Sequence, residues 1–233
     1  MFLKHLLRHY HLDIVRTHPL YETILAPLQI KTILDIGANT GAYAKEMRAL
    51  FPEATIHSFE PLADCFAKLE TTMQGDGNFT THNFALGDTN SDTTIEHSSF
   101  HPSSSLLPMA KLHKELYPKS ASSQKETIQV RTLDSLLPTL SITGPTLVKL
   151  DVQGFEDKVI AGGKEVIRNA SIVICETSFV ALYEGQPLFD DIYRALSELG
   201  FVYYGSTARH YSKRTDTLIY EDAIFIKSEL IRA

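Results

Sequence analysis

One short stretch, residues 33–41, constrains the fold of this chain more than any other. It reads Ile-Leu-Asp-Ile-Gly-Ala-Asn-Thr-Gly, so that an apolar run leads into a glycine-containing turn and a helical pattern follows at once. Glycine allows positive φ angles and a close approach of the backbone to a ligand, and the start of a helix offers unpaired N–H groups to an anion. The stretch therefore predicts a strand, a ligand-binding turn and a helix. A tight turn that binds nothing is the alternative.

Two acidic residues beside this turn indicate which ligand it binds. Asp35 lies two residues before the first glycine, where a carboxylate would repel a pyrophosphate and attract a cationic amino-acid headgroup. Glu60 ends the apolar run 54–59, about 20 positions beyond the glycines, where an acidic residue grips the ribose in βαβ nucleotide folds. The glycine spacing G-x-x-x-G also differs from the dinucleotide fingerprint G-x-G-x-x-G. The pattern favours S-adenosylmethionine over NAD; in the alternative, Glu60 is only solvated.

The composition fits a single α/β domain. The chain has 233 residues, 43% of them hydrophobic, and a formal net charge of −6. No run of Lys and Arg exceeds two residues, whereas nucleic-acid-binding proteins usually carry a basic surface, so we expect no nucleic acid as a partner. Cys65 and Cys175 fall in a helical pattern and in an apolar strand, which indicates reduced residues and a cytoplasmic location. No apolar run is long enough for stable membrane insertion, and the oligomeric state stays open.

The first 29 residues are predicted to form an N-terminal helical cap on a domain that spans 30–233. Five apolar residues are spaced to form one stripe of a helix: Phe2, Leu3, Leu6, Leu7 and Tyr10. Basic and histidine residues interrupt this stripe, which argues against a secretory signal. The alternative is a basic amphipathic helix that touches a membrane or a partner.

Apolar strands alternate with helical patterns along the chain, as expected for a parallel sheet with helices on both faces. Strands are predicted at 31–36, 54–59, 79–86, 146–152, 171–176, 201–204 and 223–227. Helices are predicted at 41–51, 61–73, 133–137, 156–169 and 187–199. A polar insert at 88–126 breaks the alternation, and an insert of this length is usually functional or mobile. Within it, a short strand at 93–97 is predicted to pair with residues 127–132.

Five motifs occur in a fixed order along the chain. They are Asp35-Ile-Gly-Ala-Asn39-Thr-Gly41, Ser58-Phe59-Glu60-Pro61, Asn83-Phe-Ala85-Leu86-Gly87-Asp88, Arg131-Thr-Leu133-Asp134-Ser-Leu-Leu and Lys149-Leu-Asp151-Val-Gln-Gly154-Phe-Glu156. Together with Glu176 and Leu182-Tyr-Glu-Gly185, this order resembles the FkbM family of S-adenosylmethionine-dependent methyltransferases. The resemblance covers residues 30–205. The chain departs from the family at Gln153, where the family commonly has Glu.

The resemblance implies a class I methyltransferase fold, a Rossmann-like and mostly parallel sheet of seven strands with helices on both faces and an antiparallel last strand. It implies S-adenosyl-L-methionine as the cofactor and O-methylation of a hydroxyl on a small molecule such as a sugar or a polyketide. Two alternatives are N-methylation of nucleic acid or protein, and a non-catalytic binding module that keeps the nucleotide cleft.

The cofactor is expected at the carboxyl ends of the strands, because ligands of open α/β sheets bind there, near the switch in strand order. The predicted cofactor-binding residues are Asp35, Gly37, Ala38, Asn39, Gly41, Glu60, Pro61, Asn83, Ala85, Leu86 and Asp151. We expect Asp35 to bind the methionine ammonium and Glu60 to bind the ribose hydroxyls. Residues 83–86 are expected to contact the adenine.

Two carboxyl groups are the predicted catalytic residues. Asp151 ends the central strand, where it either takes the proton of the acceptor hydroxyl or only orients the cofactor or a water molecule. Glu176, one strand over, is the rival for the same role. Glu156 is expected to complement the dipole of the helix that it begins. Gln153 either donates to a substrate or cofactor oxygen or is solvated.

The remaining polar residues carry weaker predictions. The three serines at 103–105 either bind a polyol acceptor or form an exposed turn, and Tyr183, Tyr211 and Arg214 are candidates to face the substrate. No metal site is predicted, because His97, His101 and His113 lack the spacing of metal-binding motifs.

Overall fold

The computed structural model describes residues 24–98, 103–120 and 123–231. The strands are β1 (Thr32–Ile36), β2 (Thr55–Phe59), β3 (Phe79–His82), β4 (Ala85–Leu86), β5 (Ser91–Ser98), β6 (Ser123–Arg131), β7 (Thr146–Leu150), β8 (Ile172–Ser178), β9 (Phe201–Tyr211) and β10 (Leu218–Lys227). The α-helices are α1 (Ala42–Leu50), α2 (Ala63–Thr72), α3 (Lys111–Leu116), α4 (Glu156–Gly162), α5 (Lys164–Arg168) and α6 (Phe189–Glu198). Short 3-10 helices cover Ala26–Leu28, Pro118–Ser120, Asp134–Leu136 and Ser228–Leu230.

The main sheet has seven strands in the order β3-β2-β1-β7-β8-β10-β9. Strands β3, β2, β1, β7 and β8 run parallel to one another, and β10 is antiparallel to both of its neighbours. The chain builds outwards from β1 to β3 and then returns to the other side of β1, so that the strand order reverses between β1 and β7. This confirms the predicted fold class, including the antiparallel last strand.

Helices cover both faces of this sheet because alternate residues of its buried strands supply two separate cores. Leu34 of β1 belongs to one core with Val159 of α4 and Leu196 of α6. Ile33, its neighbour in the strand, belongs to the other core with Met47 of α1. Strands buried on both faces in this way read as continuous apolar runs, which is why the sequence identifies them.

A second, three-stranded sheet has the order β4-β6-β5 and confirms the pairing predicted within the insert. Thr93 of β5 pairs with Ile128 of β6 in antiparallel register. The predicted single strand at 79–86 is wrong, because the chain leaves the main sheet after His82 and Ala85 pairs with Val130 of β6 instead. Between the two strands, the amide of Asn83 donates hydrogen bonds back to the loop after β2.

Several predicted boundaries differ from those of the structure. Helix α2 begins at Ala63 and not at residue 61, because Leu62 is extended and its N–H donates to the Glu60 side chain. The helix predicted at 156–169 is divided at Gly163, where a Cβ atom would lie 2.9 Å from Leu133 Cδ2. The 133–137 helix is a single 3-10 turn, and β9 and β10 are longer than predicted.

Part of the predicted domain organisation lies outside the described residues. Most of the N-terminal cap falls in residues 1–23, so the division into a cap over 1–29 and a domain over 30–233 stays a prediction. Among the described residues, Ile24 and Leu25 are buried in the core that contains Met47. No helix in the described ranges is long and apolar enough to cross a membrane.

Candidate active site

A cavity of about 240 Å³ lies at the carboxyl ends of β1, β2, β7 and β8. This is the position expected for a ligand, since the strand order reverses between β1 and β7. The insert closes the other side of the cavity with Ser103, Ser104, Ser105, Leu106, His113 and Tyr117. The cavity thus has a half formed by strand ends and a half formed by the insert.

Eight of the predicted site residues line this cavity: Gly37, Asn39, Glu60, Pro61, Ala85, Leu86, Asp151 and Glu176. Residues from distant parts of the sequence are therefore brought together as predicted. Four predicted residues, Asp35, Ala38, Gly41 and Asn83, are not part of its wall. The structure gives each of these four a position next to the site.

Asp35 lies in β1, inside the sheet, and its side chain is fully buried. It sits in a row across three strands, with Ser58 of β2 on one side and Lys149 of β7 on the other. Ser58 Oγ donates to Asp35 Oδ2 at 3.1 Å, whereas Oδ1 is buried and has no partner among the described residues. Burial raises the pKa of Asp35 to about 6, although Lys149 and Ser58 act against this shift.

The glycine turn packs tightly against other parts of the chain. The N–H groups of Gly37 and Ala38 both donate to the Phe59 carbonyl at 3.0 Å. Gly37 has a φ angle of +83°, and a Cβ atom there would lie 1.9 Å from the Asp151 carbonyl oxygen. At Gly41 a Cβ atom would lie 2.8 Å from Leu69 Cδ1. The close approach that we predicted for a ligand is thus made in part by the chain itself.

Glu60 joins the loops that follow β1 and β2. Its Oε2 accepts a hydrogen bond from the Asn39 N–H at 2.8 Å, and its Oε1 accepts one from the Leu62 N–H at 2.8 Å. Asn83 Nδ2 donates to the carbonyls of Glu60 and Pro61, so Asn83 holds this loop from outside. Burial raises the pKa of Glu60 to about 7 despite the two hydrogen bonds to its carboxylate.

Asp151 lies just beyond the end of β7, and Glu176 lies within β8. The side chain of Gln153 bridges the two. Lys149 Nζ lies 2.8 Å from Asp151 Oδ2, and Gln153 Nε2 donates to Asp151 Oδ1 at 2.8 Å and to Glu176 Oε1 at 3.0 Å. Burial opposes ionisation of Asp151, but Lys149 and Gln153 outweigh it and hold its pKa below its ordinary value. Burial and the neighbouring Asp151 raise the pKa of Glu176 well above its ordinary value.

Glu156 begins α4, as predicted, and also shapes the loop before it. Its buried Oε1 accepts hydrogen bonds from the N–H groups of Val152 at 3.0 Å and Gly154 at 3.2 Å. Burial raises the pKa of Glu156 to about 7. The side chain therefore fixes the backbone on both sides of Gln153.

The serines of the insert bind their own chain. Ser105 Oγ donates to the Gln153 carbonyl at 2.6 Å, and Ser104 Oγ accepts a hydrogen bond from the Ser98 N–H at 3.0 Å. The Ser103 carbonyl accepts a hydrogen bond from the Tyr183 hydroxyl at 3.2 Å. The insert is thereby attached to the loop after β7, and these serines line the cavity without forming an exposed turn.

The side chains predicted to face the substrate lie elsewhere. Tyr183 is fully buried, and its hydroxyl also donates to Gln153 Oε1 at 2.9 Å. Tyr211 and Arg214 are exposed and do not line the cavity. Tyr183 therefore supports Gln153. Gln153 was predicted either to donate to a substrate or cofactor oxygen or to be solvated, and its amide donates instead to two carboxyl groups of the chain.

The residues of the cavity wall that sequence reasoning missed include His113, Tyr117 and Tyr220, which bring polar rings to it. His113 Nε2 lies 2.9 Å from Ser120 Oγ, and Ser120 Oγ donates to the Tyr117 carbonyl at 2.7 Å. Nε2 therefore carries the proton in this contact, and burial lowers the pKa of His113 and keeps its ring neutral. The i, i+4 spacing of His113 and Tyr117 was the available signal, since it puts both on one helix face.

Metal binding was not predicted for the histidines. Among the described residues, no group of three or more His, Cys, Asp or Glu is placed to hold a metal ion.

The family model of the methyltransferase FkbM domain matches residues 35–203. The chain belongs to the FkbM family. Among curated proteins, the 2-O-methyltransferase NoeI of Sinorhizobium fredii (strain NBRC 101917 / NGR234) is 30% identical over 165 residues. That alignment spans 66% of this chain and 66% of NoeI, just under two thirds of its length. The family confirms the resemblance, together with its enzyme class and its cofactor, S-adenosylmethionine.

Solved structures share the fold of this FkbM-family chain. The N-terminal domain of EvdMO1 with SAH bound has a TM-score of 0.51 at 13% identity, and the match covers 94% of this chain and 83% of that domain. The same domain in the presence of SAH and D-fucose has a TM-score of 0.50 at 14% identity, with coverage of 91% and 81%. At these identities the likeness shows the class I methyltransferase fold.

Proposed function

We propose that this protein transfers the methyl group of S-adenosylmethionine to a hydroxyl of a small, neutral, sugar-like molecule. The observation that carries this proposal is the cavity itself, because one half is lined by the cofactor motifs and the other by the insert. The name of NoeI, a 2-O-methyltransferase, supports transfer to oxygen. The domain of EvdMO1 studied with D-fucose supports a sugar as the acceptor.

The strand-end half fits the cofactor. Asp35 does not line the cavity, but its buried Oδ1 has no partner among the described residues and would hold the ammonium group through a water molecule. Glu60 lines the cavity and would hold the ribose hydroxyls. Ala85 and Leu86 offer an apolar wall to the adenine. Gly37 and Asn39, in the turn after β1, line the same half of the cavity. When bound, the cofactor supplies an electrophilic methyl group.

The same proposal assigns supporting roles to the predicted residues that do not touch the cavity. Ala38 is buried beneath the turn, Gly41 lets α1 pack against α2, and Asn83 holds the backbone carbonyls of Glu60 and Pro61. These residues keep the turn and the loop after β2 at a fixed separation. We infer that they affect the cofactor through this geometry.

The remaining part of the cavity wall offers hydrogen-bonding groups and aromatic rings to an acceptor. Gln153 after β7 and Glu176 of β8 are polar groups of this wall, and Tyr117 of the insert and Tyr220 of β10 bring two aromatic rings. Carboxyl and amide groups next to aromatic rings match the polar edges and apolar faces of a sugar. Among the described residues that line the cavity there is no Lys or Arg, so the site lacks the charges that bind phosphate groups. This supports a neutral acceptor over nucleic acid.

Asp151 is the residue that we propose to take the hydroxyl proton. It lines the cavity at the end of the central strand, and its pKa is held below its ordinary value by Lys149 and Gln153, so it is ionised at neutral pH. Burial and the neighbouring Asp151 raise the pKa of Glu176 and favour its protonated form, in which it can donate a hydrogen bond to the acceptor oxygen. The two predicted catalytic residues thereby take different roles.

Methyl transfer to a panel of acceptors tests this function. The purified protein is incubated with methyl-labelled S-adenosylmethionine and neutral sugars, D-fucose included, each paired with the amino sugar that replaces one hydroxyl. We expect a labelled methyl ether on a sugar hydroxyl. Transfer to the amino sugars alone would show an N-methyltransferase. Binding of S-adenosylhomocysteine with no transfer to any acceptor would favour a non-catalytic module.

We also propose the cytoplasm as the location. Cys65 and Cys175 are both buried and unpaired, which fits a reducing compartment. Fractionation of the native cells, with an antibody to the chain, tests this proposal.

A further inference from the structure

Gln153 lies in the loop after β7 and contacts two carboxyl groups of the cavity wall. Its Nε2 donates at 2.8 Å to Asp151 Oδ1 and at 3.0 Å to Glu176 Oε1. An amide nitrogen carries two hydrogen atoms, so each hydrogen is committed to one carboxyl group. Asp151 follows β7 and Glu176 lies within β8, and the Gln153 side chain connects the two.

The opposite end of the amide is also fixed. The Tyr183 hydroxyl donates to Gln153 Oε1 at 2.9 Å, the shorter of its two contacts, and the Tyr183 side chain is fully buried. If the amide were reversed, Oε1 would lie against the ionised Asp151 carboxylate, which has no hydrogen to donate. The hydrogen-bond partners therefore permit one orientation of the amide.

The backbone holds Gln153 in place against a conformational cost. Its φ angle is 53°, in the left-handed region that non-glycine residues adopt rarely. Ser105 Oγ donates to its carbonyl at 2.6 Å, and Glu156 accepts hydrogen bonds from the residues on either side of it. Strained conformations persist where the surroundings determine them and are found often at functional sites.

We propose that Gln153 is a positioning residue, which aims Asp151 and Glu176 at the acceptor and keeps the negative charge of the pair on Asp151. This inference rests on the proposed function, since it concerns the same hydroxyl. Lys149 contacts Asp151 and makes no hydrogen bond to Glu176 among the described residues, so the ammonium favours the charge on Asp151. The two N–H groups of the Gln153 amide lie between Asp151 and Glu176 and donate to both, which allows the two carboxyl groups to lie close together.

Other ionisable groups surround the pair and remain the same in any variant of Gln153. They are Lys149 on β7, Asp35 on β1, Glu156 on α4, Cys175 on β8, Tyr220 and Asp222 on β10, and Tyr117 and Tyr183 in the connecting segments. A carboxyl group in place of the amide would be a third acid between Asp151 and Glu176. Like charges at such distances raise pKa values by about 1–3 units.

The variant Gln153→Glu tests this role with little change in shape. At saturating cofactor we expect kcat to fall about tenfold or more and the acid limb of its pH profile to move to higher pH by about 1–3 units. The KM for S-adenosylmethionine should change little. The matched control is Gln186→Glu, because Gln186 is also buried and contacts the Tyr183 N–H but donates to Ser178 Oγ. A Gln153→Glu profile that superimposes on that of the unmodified protein would overturn the proposal.

A second variant and a second readout cover the case in which Gln153→Glu folds poorly. Tyr183→Phe releases Gln153 Oε1, and we expect a smaller shift of the acid limb in the same direction. Without any acceptor, the unfolding free energy of Gln153→Glu should fall relative to the unmodified protein as the pH rises above about 4.3, the ordinary pKa of Glu. A difference that is constant with pH would overturn the charge assignment. Absence of transfer by the unmodified protein would instead refute the proposed function.

Discussion

The carboxylate of Glu60 accepts a hydrogen bond from the backbone N–H of Asn39, 2.8 Å away, and so joins the turn after β1 to the loop after β2. Its other oxygen accepts from the Leu62 N–H. The acidic residue that the sequence assigns to the ribose is therefore also a structural link between two loops. A ligand at this site meets a carboxylate whose position the backbone has already fixed.

Replacing Glu60 with Ala should weaken both the fold and cofactor binding. Two backbone N–H groups lose their acceptor, which should lower the unfolding free energy by about 1–3 kcal/mol, and the affinity for S-adenosylhomocysteine should fall about tenfold or more. Urea unfolding and calorimetry measure the two effects. Glu60→Gln, which keeps one acceptor oxygen, should recover part of the stability. An unchanged affinity in Glu60→Ala would show that the ribose assignment is wrong.

Cofactor affinity should rise as the pH increases from about 5.5 to about 7.5. Burial raises the pKa of Asp35 to about 6 and that of Glu60 to about 7, so both hold protons at the acid end of this range. The ammonium group favours ionised Asp35, and the ribose hydroxyls donate to ionised Glu60, so binding releases these protons. Calorimetry of S-adenosylmethionine in buffers of different ionisation enthalpy counts the protons released. Asp35→Asn should release fewer, and an affinity that does not vary with pH would contradict both assignments.

Gly37→Ala should destabilise the protein more than Gly75→Ala, although both residues have similar positive φ angles of +83° and +88°. At Gly75 no atom lies within 4 Å of the added Cβ, so the cost is the left-handed conformation, about 1–2 kcal/mol. At Gly37 the Cβ meets the Asp151 carbonyl, and the backbone must move, which should raise the total to about 3 kcal/mol or more. Denaturant unfolding measures the loss of unfolding free energy in each variant. Equal losses would show that the backbone relieves the contact with the Asp151 carbonyl at no cost.

The sequence predicted the features that depend on local pattern. Continuous apolar runs identified the strands of the main sheet, and the glycine turn with Asp35 and Glu60 identified the strand-end half of the cavity. The rule that ligands bind at the carboxyl ends of parallel strands then predicted that Asp151 and Glu176 lie at the same edge of the sheet. Each of these predictions needs only the residue types of a short window and one rule of topology.

The features that the sequence did not predict depend on contacts between distant segments. The buried Tyr183 hydroxyl donates a hydrogen bond to Gln153, 30 positions earlier. No short stretch of sequence contains both residues. Tyr220 reaches the cavity only because β10 inserts between β8 and β9. The predicted strand at 79–86 is split because Ala85 pairs with Val130 of β6, and Val130 lies beyond the insert. The spacing of apolar residues along the sequence does not indicate which segments pair with each other.

Asp151→Asn should reduce turnover far more than Glu176→Gln does. Asp151 is ionised next to Lys149 and can accept a proton, so its loss should lower kcat by about 10²–10⁴-fold. The raised pKa of Glu176 favours its protonated form, and an amide reproduces that hydrogen-bond donor, so Glu176→Gln should lose about tenfold or less. Both variants should bind S-adenosylhomocysteine with nearly unchanged affinity, which calorimetry checks. If Glu176→Gln is instead the more damaged variant, the proton goes to Glu176 and the roles of the two residues are reversed.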